Sequence, residues 1–207
     1  GEQHWLPVTL GPIMAAAQRD LRLISPYFVP GAEGVRWLGG MRARGVEVGV
    51  LTNSLAANDV VAVHGGYAGY RKPLLEAGVE LFELMPHGQS NSSLFGSSGA
   101  SLHTKAFAVD GETGFIGSFN MDPRSVSLNT EMGVVFQDRE VTAELLKSYA
   151  SKTAAANSYR VALEQGALRW QDGSVEPPKV WTHEPETSWW RRATARVIGW
   201  LPVESQL

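Results

Sequence analysis

The sequence contains no cysteine. That excludes disulfides, thiolate metal sites and a cysteine nucleophile, and a reducing cytoplasm fits it well. No run approaches the ~20 apolar residues needed to span a bilayer, so any membrane contact is expected to be peripheral. The opening stretch GEQHWLPVTLGPIM has neither the basic start nor the apolar run of a signal peptide. Positive charge is not in excess either: 18 Lys and Arg stand against 21 Asp and Glu, a formal net charge of -3. A protein that grips a polyanion along its surface is usually basic, so nucleic acid is not an expected partner. The tandem glycines at 39–40 and 65–66 belong to neither a G-x-G-x-x-G turn nor a Walker lysine pattern, so they are not read as phosphate loops.

What is present is a chain of 207 residues with 43% apolar residues, enough for one good-sized core or a tight pair. Residues 8–20 read as a helix, LRLIS (21–25) as a short apolar strand, and 32–44 as a helix with Val35, Leu38 and Met41 on one face. Gly45 ends that helix. VEVGVL (46–51) is a second strand, 58–77 a longer helix closed by Gly78, and VELFEL (79–84) a third strand. Strand, helix, strand, helix, strand is the pattern of parallel pairing through crossover helices. A Gly/Ser-rich loop, 86–101, follows; then come strands at 102–110, 113–118 and 130–136, the first two a hairpin turned at Asp110-Gly111. Residues 140–156 read as a helix, and SYRVALEQ with ALRWQDG as a last strand pair. The expected fold is α/β: a sandwich with a mixed central sheet and helices on both faces. Residues 1–175 are expected to form one domain and 176–207 a tail. In that tail Trp189, Trp190, Val197, Ile198 and Trp200 stand beside Arg191, Arg192 and Arg196. It reads equally as a helix docked on the domain and as an interfacial helix at headgroup depth.

The chemistry is concentrated in SLHTKAFAVDGETGFIGSFNMDPRSVSLNTEMGVVF. His103 and Lys105 are two apart on a predicted strand and so share a face. Asp110 sits at that strand's end, Ser118 and Asn120 close the next, and Glu131 opens the one after. An imidazole can attack phosphorus, or deliver a proton to a leaving alkoxide near neutral pH. A lysine ammonium and an asparagine amide can hold non-bridging phosphate oxygens while charge shifts. Glu131 is the candidate carboxylate on the far nitrogen of the imidazole, and Ser118 can donate a further hydrogen bond. With Lys105 and Asn120 as the electrophilic clamp, neither a metal nor another cofactor is required.

H-x-K-x-x-x-x-D followed by G-S-x-N and then N-x-E resembles the motif of the phospholipase D superfamily. SPYFVPG (25–31), RARGVEVGVLTNS (42–54), DVVAVHGGYAGYRKPLLEAGVELFEL (59–84) and DPRSVSLNTE (122–131) narrow the resemblance to its bacterial cardiolipin synthase branch. Members carry two such motifs. The follow-on GSFNMDPRS is similar to the second, and no other H-x-K occurs here, so the chain resembles a C-terminal half. The resemblance implies phosphatidyl transfer to an alcohol through a phosphohistidine, with His103 the acid/base. Its partner histidine would come from an N-terminal half or from a second copy by two-fold symmetry. Phospholipid and the membrane surface are the implied partners, at the cytoplasmic side of the inner membrane. Tyr27, Asn53 and His64 are candidate substrate contacts, with helix packing an equal reading for His64. The rival functions are a nuclease-type phosphodiesterase acting as a homodimer and a non-catalytic phosphate-binding fragment.

Overall fold

The computed structural model describes residues 5–58, 60–86, 102–122 and 131–200. In chain order the elements are α1 (Trp5–Ala15), β1 (Asp20–Ile24), α2 (Gly31–Ala43), β2 (Glu47–Asn53), α3 (Val61–Ala68), α4 (Arg71–Glu76) and β3 (Glu80–Leu84). Then follow β4 (Lys105–Val109), β5 (Thr113–Gly117), β6 (Gly133–Gln137), α5 (Arg139–Thr153), β7 (Ser158–Glu164), β8 (Ala167–Asp172), β9 (Lys179–Trp181) and α6 (Trp189–Trp200). All nine strands form one mixed sheet in the order β6-β5-β4-β1-β2-β3-β7-β8-β9. β1, β2 and β3 pair in parallel, with Leu23 opposite Val50 and Val50 opposite Leu81; β4 joins β1 antiparallel, with Phe107 opposite Leu23.

Alternation along the strands builds two cores. Leu21 and Leu23 face the layer that holds Leu10, Leu38, Met41 and Leu74 of α1, α2 and α4. Ile24, Leu51 and Ala108 face Leu145 and Tyr149 of α5. Each fully buried leucine contributes roughly 1.5–3 kcal/mol, and the charged residues of β1 and β3 fall mostly at the half-buried positions between the buried ones. The α/β sandwich with helices on both faces is therefore the observed fold. Gly45 (φ 89°) and Gly78 (φ 83°) end α2 and α4 in the left-handed region. The Val46 and Val79 amides reach back to the Met41 and Leu74 carbonyls, as in a Schellman cap.

Three expectations change. The predicted helix over 58–77 is two helices, because Pro73 has no N–H to give the Gly69 carbonyl and α3 cannot run through. β4 begins at Lys105 and not at 102, since the Leu102 amide leaves the ladder to bond the Asn53 side chain at 2.9 Å. The short strand β9 was not anticipated; it adds to β8 antiparallel. Most of the predicted loop 86–101, and residues 123–130, lie outside the described residues.

Candidate active site

The carboxyl ends of β1, β2 and β3 share one edge of the sheet with the start of β4, the end of β5 and the start of β6. The register shows this: Ile24 is opposite Ala106 and Leu51, Lys105 opposite Gly117, and Gly117 opposite Gly133. Carboxyl ends of parallel strands are where open α/β sheets present ligand sites. His103, Lys105, Ser118, Asn120 and Glu131 all fall at this edge.

Local bonds hold each in place. Asn53 is buried and brackets Leu102 from both sides, its Oδ1 accepting the Leu102 N–H and its Nδ2 donating to the Leu102 carbonyl at 3.3 Å. The next residue, His103, is exposed at the edge. The Lys105 ammonium donates to the His103 carbonyl at 2.9 Å. Beyond β5, the Met121 N–H donates to Ser25 Oγ at 3.0 Å, and the Met121 carbonyl accepts the Val29 N–H at 2.7 Å. These bonds fasten Asn120 against the turn that carries Tyr27, whose carbonyl accepts the Ser25 hydroxyl at 2.6 Å. Asn120 is buried, and its Oδ1 has no hydrogen-bond partner among the described residues. Such an atom is open to a further polar partner, and a half-turn about χ2 aims the amide NH2 at the same point. Ser118 donates its hydroxyl to Glu131 and accepts the Met132 N–H at 2.9 Å. The carboxylate assigned from sequence to the imidazole is thus engaged by Ser118. Gly117 admits no side chain: a Cβ would stand 2.4 Å from the Met132 carbonyl oxygen and 2.6 Å from the Phe115 ring. Among the described residues no three His, Asp or Glu side chains gather in a metal-binding group.

Two residues named from sequence are not brought to this edge. Asp110 lies at the far end of β4, roughly 16 Å along the strand from Lys105. There its carboxylate accepts the backbone N–H groups of Gln18, Arg19 and Asp20 at 2.9, 2.7 and 2.9 Å. Partial burial would raise its pKa, but those three donors outweigh it and hold the carboxyl below the ordinary range. Asp110 acts by joining the hairpin turn to the start of β1. Asp110→Ala is expected to cost about 2–3 kcal/mol, the order of a hydrogen bond to a charged group plus orphaned donors. Thermal unfolding checks this, and Lys105→Ala, at the exposed edge, should leave the melting temperature almost unmoved.

His64 is the second. It is 1% exposed in α3 and packs into a charged cluster rather than a cleft. Arg71 is the hub: its Nε donates to Glu83 at 2.7 Å, its Nη1 to Glu184 at 2.6 Å, and its Nη2 lies 2.7 Å from His64 Nε2. Tyr67 and Trp170 donate to the two oxygens of Glu83 at 3.1 and 2.9 Å. Burial would raise the Glu184 pKa, but Arg71 and then His64 hold it far below the carboxylate range. The sequence signal for this cluster is Glu83, an acid two positions after Leu81 and so on the same buried face of β3. A cavity of about 560 Å³ opens beside the cluster, lined by Arg71, Arg169, Trp170, His183 and Arg192 among others. None of the motif residues lines it.

Comparison with known proteins bears on the edge cluster. A family profile described as "Cardiolipin synthase, PLD-like domain" matches residues 11–152. The chain belongs to this phospholipase D-like family. Within it, the chain is 45% identical over 205 residues to Cardiolipin synthase C of Escherichia coli (strain K12), covering 96% of this chain and 43% of that protein. It is 31% identical over 154 residues to Cardiolipin synthase A of Proteus mirabilis, covering 74% of this chain and 28% of that one. This phospholipase D-like chain therefore spans less than half the length of these relatives. Among solved structures, Nuc of Salmonella typhimurium, a phospholipase D family member, superposes with a TM-score of 0.54 at 19% identity, covering 74% of this chain and 90% of that one. Phosphatidylserine synthase of Haemophilus influenzae gives 0.56 at 13% identity, covering 92% and 41%. Both share the phospholipase D-like fold.

Proposed function

We propose that this chain supplies one of two half-sites of an enzyme that transfers a phosphatidyl group from a phospholipid to an alcohol, as in cardiolipin synthesis. What supports this is the gathering of His103, Lys105, Ser118, Asn120 and Glu131 at one sheet edge, in a chain 45% identical to a cardiolipin synthase. The other half-site supplies the nucleophilic histidine, from the rest of a longer protein or from a second copy. Its nitrogen attacks phosphorus, the bond from phosphorus to the leaving alcohol breaks, and His103 gives that alkoxide a proton. His103 then takes the proton of the acceptor alcohol as its oxygen attacks phosphorus and the phosphorus–nitrogen bond breaks. Lys105 and Asn120 hold the non-bridging oxygens through both steps. Asn53 acts through Leu102 as a positioning residue for His103. The described residues include no helix long and apolar enough to cross a membrane.

The test is phosphatidyl transfer by the enzyme holding both halves, assayed with and without a chelator. Lys105→Ala should lower kcat/KM by about 10²–10³-fold, the scale of losing one preorganised electrophilic contact. Chelation should leave the parent rate unchanged, because the positive clamp is made of side chains. A strict requirement for a divalent ion in the chemical step would contradict the assignment. Cleavage of DNA without lipid turnover would favour a phosphodiesterase, and phosphate binding without turnover a binding module.

A further inference from the structure

We propose that α6 is a docking surface for an anionic lipid bilayer and sets the catalytic edge against the headgroups. The inference deepens the phosphatidyl-transfer reading and rests on it only for what the docked edge then does.

The helix is inverted relative to an ordinary surface helix. Its inward side is Ala195, which is buried, and Arg191, whose guanidinium donates to the Asn58 carbonyl. Its outward side carries large apolar groups around the small polar Thr194: Trp190 and Val197, seven residues apart, are 66% and 57% exposed, and Trp189 is 58% exposed. Residues seven apart lie on one face of a helix. The two indoles stack with centroids 3.7 Å apart, forming one aromatic block. Val60, just beyond Asn58, adds another exposed apolar side chain. The helix cannot roll to hide this face, because Ser188 accepts the Arg191 N–H and the segment before it is tied down through Glu184 and Arg71.

Charge selects the occupant. The helix WWRRATARVIGW has three arginines and no acid, in a chain whose total is -3. Arg191 and Arg192 bond to neutral oxygens, the Asn58 carbonyl and Thr187, so neither charge is cancelled by those contacts. The exposed indoles match the boundary between headgroups and acyl chains, where each Trp buries its body and keeps its N–H wet, and the positive potential of the arginines behind them favours an anionic surface. Position supplies the consequence. Asn53 grips Leu102, the neighbour of His103, and Asn58, a few residues on, is gripped by Arg191. One short loop thus ties the aromatic face to the edge that carries His103, so docking brings that edge to the headgroup plane.

The experiment is sedimentation with vesicles of phosphatidylcholine containing about one third phosphatidylglycerol, against vesicles of phosphatidylcholine alone. The parent should bind the anionic vesicles and bind the neutral ones weakly. Trp189→Ala/Trp190→Ala should lower partitioning by roughly tenfold or more, since binding scales with inserted apolar area. Brominated acyl chains should quench less of its tryptophan fluorescence. If the double variant fails to fold, Val197→Glu places an acid on the same face and should show the same loss. His103→Asn should bind as the parent does, so a failure of docking and a failure of the catalytic reading appear in separate assays. Binding that ignores the tryptophans, binding equal on neutral vesicles, or binding displaced by DNA would overturn the proposal. So would a loss confined to self-association, which would mean that protein covers this face.

Discussion

His103→Asn, in the enzyme that holds both half-sites, is expected to lower turnover by about 10²–10⁴-fold, the range for loss of a positioned general acid. Asparagine keeps much of the shape of the imidazole and cannot carry its proton. The Asn53–Leu102 bonds and the Lys105 contact with the residue 103 carbonyl involve main chain at this point, so the segment should hold its course. Loss of rate without loss of stability is the first signature. The second is a trapped intermediate. A donor with a good leaving group needs little protonation, so the other histidine should still form some phosphohistidine. That adduct should decay slowly, because nothing activates the acceptor. Label held in acid-labile form on the variant supports the acid/base role. Label on His103 of the parent, with none trapped by the variant, would reverse the two histidines. Effects of residues acting as a unit are not additive, so removing both histidines should cost little more than removing one.

Arg71→Met is expected to cost about 3–5 kcal/mol of stability, because it leaves carboxylates buried without their cation. Arg71 is 2% exposed and Glu83 0%, so water cannot take over the lost bonds. The midpoint of denaturant unfolding measures the loss. Replacing the whole cluster with apolar side chains of similar volume should cost less, since the penalty comes from the orphaned partners. A milder variant, Glu184→Gln, carries a pH signature. The folded protein holds the Glu184 pKa below its ordinary value of 4.5. A depressed carboxylate contributes stability above its unfolded pKa and loses it as pH falls toward the folded one. The parent should therefore lose stability more steeply than Glu184→Gln below about pH 4.5. Parallel curves would mean that Glu184 titrates alike in both states. Because Glu184 lies on the segment leading into α6, the same variant should loosen that helix and weaken vesicle binding.

Much of this protein was legible without a structure. The apolar runs of β1, β2 and β3, Gly45 and Gly78 after their helices, and the Asp110-Gly111 turn are local signals, and each appears where the pattern puts it. The candidate site was legible by residue type and spacing, and His103, Lys105, Ser118 and Asn120 do fall at one edge of the sheet. Legibility stopped where one contact joined distant parts of the chain. A strand starting at 102 was a fair reading of the alternation, and it was wrong because a side chain 49 residues earlier takes the Leu102 amide. Asp110 belongs to the motif by spacing, yet its bonds run to residues 90 to 92 positions away and keep it at the other end of β4. His64 and Arg71 meet Glu184, more than 110 residues on, and become a buried tie to the tail rather than a cleft.

The sequence by itself determined most of the strands and helices, the α/β class and the residue types of the candidate site. It did so because hydrophobic period, turn chemistry and residue type act over a few residues. Only the tertiary structure decided which motif residues share an edge, which one braces the far end, and which way Trp189 and Trp190 face. Those depend on what packs beside each side chain, and on the burial that turns a polar group into an ion pair or leaves it without a protein partner.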